Sequence, residues 1–130
     1  MMNSFDAIGP AADRVVDFLA KAPDGAEAEY LARLALEELV TNIVKYGHED
    51  KANHEIQVAA DVCNGEFALC ISDDGHEFDP TAATDPDTTL PAEERPIGGL
   101  GLFLVRNMAD AMEYRREDGR NVVTVRKKLG

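Results

Sequence analysis

The chain is short of basic charge, of long apolar runs and of paired cysteines, and each shortage argues against a class of function. Its 130 residues hold 13 Lys and Arg against 25 Asp and Glu, a formal net charge of −12. Nucleic-acid binding needs a basic face that displaces counterions. An anionic membrane surface would repel the same chain. No apolar run approaches the ~20 residues that cross a bilayer, and the first residues do not pair a charged segment with an apolar one as a secretory signal does. The two cysteines, Cys63 and Cys70, have neither C-x-x-C nor metal-ligand spacing. The expectation is a cytoplasmic protein with reduced thiols, without nucleic-acid or membrane partners. An anionic nucleotide stays admissible, because a metal ion and backbone amides can supply positive charge.

What is present reads as a single globular domain over residues 1–130, at 45% hydrophobic and 29% charged. Val15, Phe18, Leu19 and Ala22 predict a short helix over about 11–22, with Pro10 tolerated in a first turn. Pro23-Asp24-Gly25 breaks it, and Asp24 is placed to cap a second helix over about 26–46. Leu31, Leu34, Ala35, Leu39, Asn42 and Ile43 stripe that helix. The period then changes to two. Residues 55–63 and 66–73 read as antiparallel strands around the hairpin signal Asn64-Gly65. Residues 79–97 hold four prolines and little apolar content, which suggests a lid loop. A third helix follows Gly98-Gly99-Leu100-Gly101, and Asp118-Gly119 marks a turn between two last strands. The order predicts an α+β two-layer sandwich, helices on one face of a mostly antiparallel sheet.

Three segments carry chemistry. Glu38 and Asn42, four apart, share a helix face. The Asn amide can serve a Mg ion, and Glu38 can orient or deprotonate an attacking hydroxyl or water. The plain alternative is a solvated Glu38 and an Asn42 bonded to its neighbours. Asp73, at a strand end, can accept from an exocyclic amine such as that of adenine, with Gly75 allowing close approach. The alternative is an ordinary acidic turn. The glycines opening a helix make an anion site of free N–H groups and helix dipole, or else a simple hinge.

Taken together, E-x-x-x-N, Asp73-x-Gly75 and Gly99-x-Gly101 resemble the N, G1 and G2 boxes of GHKL-type ATP-binding domains. Ala-Leu-Glu-Glu-Leu-Val-Thr-Asn and Gly-Gly-Leu-Gly-Leu-Phe-Leu-Val are similar to the anti-sigma-factor serine/threonine kinase branch, over about Val15 to Lys127. The resemblance implies a Bergerat-like fold with ATP and Mg as cofactors. Glu38 would be the general base and Asn42 the Mg ligand. Asp73 and Gly75 would hold adenine, and Gly99, Leu100, Gly101 and Leu102 the phosphates, beneath a lid over 79–97. The implied partner is a small anti-anti-sigma (STAS-like) protein, with a sigma factor or a phosphatase as further candidates and homodimers common. A nucleotide-dependent switch without kinase activity is the alternative, and a fold that has lost nucleotide binding a weaker third. The chain departs from the pattern at Glu77, where a second glycine is usual, at Lys45, where His is usual, and in a very short or missing N-terminal strand. Lys45, Arg95 and Arg106 are the basic residues best placed near a nucleotide. His48 and His54 read as surface histidines, and Cys63 and Cys70 as a reduced pair with cross-strand proximity open.

Overall fold

The computed structural model describes residues 1–46, 54–82 and 99–130. Three helices, α1 (Ile8–Ala20), α2 (Glu29–Tyr46) and α3 (Gly99–Met108), lie against four strands, β1 (Gln57–Cys63), β2 (Glu66–Asp73), β3 (Ala111–Glu117) and β4 (Arg120–Lys128). The sheet order is β1-β2-β4-β3, with every pairing antiparallel. This is the expected α+β sandwich.

Both hairpins form at the dipeptides that signal them. Asn64 and Gly65 have φ of 53° and 74°, and Asp118 and Gly119 have 51° and 75°. Two successive left-handed residues match the right-handed twist of the strands they join. Pro10 lies in the first turn of α1, where its missing N–H has no partner to lose. Asp24 departs from expectation. Its backbone is left-handed, at φ 58°, and its side chain caps nothing. A 3₁₀ turn, Gly25–Ala28, follows it, so α2 begins at Glu29 rather than near Ala26. Gly25 sits so close to the carbonyl of Leu19 that a Cβ would overlap the backbone.

The core lies between the sheet and the helices. Leu31, Ala35 and Leu39 of α2 are buried with Ala32, Leu36 and Val40, a wider stripe than a single-face helix needs. Phe18 of α1 faces outward instead of joining the core. On the sheet, Phe67, Leu69 and Ile71 of β2 and Val123 and Val125 of β4 fill the inner face. Successive side chains alternate faces, so the first row runs on to Asp73 and the second to Asn121. The register sets these two opposite each other. The apolar face therefore ends in a buried polar pair, each residue 4% exposed.

The outer face carries charge. Arg126 donates to Glu113 at 2.6 Å and to Glu66 at 3.3 Å. The cysteines are not cross-strand neighbours. Cys63 opposes Glu66 while Cys70 opposes Ala59, a separation of four residues, or about 13 Å along the strands. They are free thiols, Cys63 exposed and Cys70 half-buried.

The N-terminal strand is very short, as expected. Met2 bridges Glu55, and Met1 and Ile56 exchange backbone hydrogen bonds of 2.7 and 2.8 Å. Among the described residues, no helix is long and apolar enough to cross a membrane. Of the expected lid, residues 83–97 lie outside the described residues, as do Gly98, Arg95 and His48.

Candidate functional site

The buried pair at the end of β2 and β4 is the floor of the site. Asp73 Oδ2 accepts from the Gly75 N–H at 2.9 Å and from Asn121 Nδ2 at 3.3 Å. Its Oδ1 accepts nothing from the described residues. Asn121 uses its whole amide. Oδ1 accepts from the Tyr114 hydroxyl at 2.7 Å and the Phe78 N–H at 3.3 Å, while Nδ2 also donates to the His76 carbonyl at 2.7 Å. Arg116 donates to the Gly75 carbonyl at 2.8 Å, and Arg120 holds Ser72 through its hydroxyl and carbonyl at 2.9 and 3.2 Å. The turn after β2 is thus tied at several points to the β3–β4 hairpin, which fixes where the Asp73 carboxylate points.

Above this floor opens a pocket of about 130 Å³, walled by Leu39 and Ile43 of α2, Ile71, Val123, Phe78 and Pro80, with Asn42, Asp73 and Asn121 as polar groups. An apolar cavity of ~150 Å³ admits benzene, so this space suits one flat aromatic ring with a carboxylate at its edge. His76 and Glu77 also line it. Glu77 is exposed at the pocket it lines, so the position where a second glycine is usual carries a carboxylate at the rim. Asp79 accepts from both the N–H and the hydroxyl of Thr81, at 2.8 and 2.6 Å, which closes the turn that delivers buried Pro80 to the wall.

Asn42 reaches this pocket from α2. Its Nδ2 is buried without a hydrogen-bond partner among the described residues. A buried amide left unpaired costs free energy, which makes this one a candidate contact for a ligand. An amide offers a carbonyl oxygen at one end and an NH2 at the other. It can present the oxygen to a cation or the NH2 to an anion. As placed, the unpaired NH2 suits a phosphate oxygen, and the reversed amide would offer its oxygen to a cation.

One turn before Asn42, about 6 Å back along the axis, stands Glu38. It is half-buried against Gly101 of α3, where a Cβ would overlap its carboxyl group. Burial, followed by the neighbouring Glu37 carboxylate, holds the Glu38 carboxyl above its ordinary value, and Lys45 offsets part of this. Gly99, Leu100 and Gly101 do not precede α3 as expected; they form its first turn. There the backbone N–H groups lack helical acceptors. The side chain of Leu102 is buried in the core and that of Leu100 is exposed, so of these two only the backbone can serve a phosphate.

The structure brings Asn42 and Asp73 to one pocket and sets Glu38 against Gly101, and neither Glu38 nor Gly101 is among the residues that wall the pocket. Gly75 takes part through its backbone, by orienting Asp73 rather than by lining the pocket. Asn121 and Tyr114 are absent from the sequence reading. The available signal was phase: Asn121 continues the inward row of Val123 and Val125. His54 is not a solvated surface histidine, since its Nδ1 lies 3.3 Å from Asp74.

The same layered fold recurs in the histidine kinase domain of the blue-light activated kinase of Erythrobacter litoralis, with a TM-score of 0.59 over 94% of this chain and 59% of that one at 16% identity. It recurs in the Acinetobacter baumannii histidine kinase AdeS, with a TM-score of 0.54 over 100% and 67% at 16% identity. Residues 3–127 match the histidine kinase-like ATPase domain. The chain belongs to that family, and within it to the group of the anti-sigma serine kinases. It is 30% identical over 100 residues to the serine/threonine-protein kinase BtrW of Bordetella bronchiseptica, covering 77% of this chain and 70% of the relative. It is 30% identical over 95 residues to the serine-protein kinase RsbW of Listeria monocytogenes, covering 70% and 60%.

Proposed function

We propose that the chain binds Mg-ATP and transfers the terminal phosphoryl group to a serine or threonine hydroxyl of a small partner protein. The observation that carries this reading is the pocket that joins Asn42 to Asp73, with Glu38 one turn before Asn42 on α2 and packed against Gly101 of α3. Asp73 Oδ1 accepts from the adenine amine while the ring fills the apolar pocket. Asn42, with its oxygen turned inward, holds the metal. The free N–H groups of the first turn of α3 hold phosphate oxygens. Bound Mg-ATP supplies the phosphoryl group and neutralises charge as it moves. Glu38 accepts the proton of the attacking hydroxyl, and a carboxyl held above its ordinary value is the better base at neutral pH.

The names of the relatives support a kinase. The family resemblance supports an anti-anti-sigma (STAS-like) acceptor, a sigma factor as sequestered partner, a homodimer and a cytoplasmic setting. The test is transfer of label from ATP to a STAS-like partner in the presence of Mg. Wild type should label it, and Glu38→Ala should not, while both melt roughly 10 °C higher with saturating Mg-ATP. Labelling that survives in Glu38→Ala removes the base role. Nucleotide binding without any labelling by wild type turns the reading to a nucleotide-dependent switch.

A further inference from the structure

We infer that Tyr114 is a positioning residue for base recognition: acting through the Asn121 carboxamide, it holds Asp73 so that the pocket prefers a base with an exocyclic amine. The inference rests on the nucleotide reading of the pocket.

Tyr114 lies on β3 opposite Val123, two residues from Asn121 on the neighbouring strand. Diagonal neighbours on one sheet face are within reach of a long aromatic side chain. The phenol donates to Asn121 Oδ1 at 2.7 Å, a much shorter bond than the 3.3 Å one from the Phe78 N–H. It is the stronger anchor of that amide oxygen. Donation into one end of an amide polarises it and strengthens what the other end gives, by ~10–30% per bond. The other end gives to Asp73 Oδ2 and the His76 carbonyl. Asp73, which lines the pocket, is thereby clamped by one oxygen between Gly75 and Asn121. Partial burial, then the Glu77 carboxylate, push the phenol up, with Arg116 offsetting part of this, so Tyr114 remains a donor through neutral pH. Tyr114 does not itself line the pocket. Removal of its hydroxyl leaves the walls in place and changes only how firmly Asp73 is aimed.

The experiment measures dissociation constants of Mg-ATP and Mg-ITP by calorimetry on the full chain. Inosine triphosphate carries a carbonyl where adenine carries its amine. Wild type should prefer ATP. Tyr114→Phe keeps the ring and should lower the ATP-over-ITP preference about fivefold, the worth of roughly one hydrogen bond. Asn121→Ala should lower it at least as far, and the double variant no further than Asn121→Ala alone, because the two side chains act in series. An unchanged preference in Tyr114→Phe overturns the inference. So does an equal weakening of both nucleotides, which is what a merely structural role produces, and so do additive effects in the double variant. Asp73→Asn separates the two levels. If it keeps the wild-type preference, or wild type shows none, the assignment of Asp73 to the base falls and the inference falls with it.

Discussion

The carboxyl group of Glu38 occupies the space that a side chain at Gly101 would need. The acid is on α2 and the glycine on α3, so the contact couples the proposed base to the proposed phosphate turn.

Gly101→Ala should therefore separate catalysis from stability. The atoms in the way are the far end of a flexible side chain, so the fold can yield by moving the Glu38 carboxyl. Alanine inside a helix is worth about 0.5–1 kcal/mol over glycine, so melting should hold or rise. Displacement of a catalytic group by about 1 Å costs roughly a hundredfold in rate. Labelling assays beside melting curves check both halves.

Glu38 gives a pH signature. Its folded-state carboxyl binds its proton more tightly than the unfolded one. Stability is thus lost as pH rises from the ordinary carboxyl value to the raised one. Glu38→Gln should melt higher than wild type at neutral pH, and the difference should vanish in acid. The acid limb of the transfer rate should move down in Glu37→Gln and up in Lys45→Ala, opposite shifts from the two charges that act on Glu38.

Asn42→Ala should trade binding for stability. The variant removes a buried, unpartnered amide, so the ligand-free protein should melt no lower, and higher if relief of that burial outweighs the lost contacts of one short side chain. The rise with Mg-ATP should disappear. Thermal shifts with and without nucleotide decide it, and an intact rise would remove Asn42 from the site.

Gly25→Ala tests a purely structural contact. Here a Cβ meets the Leu19 carbonyl, which is backbone and cannot turn aside. A loss of about 1–3 kcal/mol is expected from such overpacking, read in urea midpoints, with nucleotide specificity unchanged.

Much of this arrangement was legible because it is local. Asn64-Gly65 and Asp118-Gly119 dictate their turns, and alternation places Phe67, Leu69 and Ile71 inward. Glu38 and Asn42 share a face by helix geometry alone. The role of Asn121 was not legible, because it depends on β2 pairing with β4, strands separated in sequence by α3. Alternation marks Asn121 as inward; only the register says that Asp73 is opposite. The glycines of α3 were misplaced by a turn because glycine is a poor helix former and reads as a loop. Nothing local announces that Glu38 needs their bare backbone.

The strand carrying Asp73 is hydrogen-bonded on both edges, to β1 and to β4. The glycine turn belongs to a helix whose main helical neighbour is α2. The proposed base end of the site is therefore built into the sheet, and the proposed phosphate end into a packing of two helices. On the proposed reading, a base meets strands locked by hydrogen bonds on both sides, whereas phosphates meet the first turn of α3, which packs on α2. A partner that distinguishes a triphosphate from a diphosphate is then expected to contact α3 rather than the sheet.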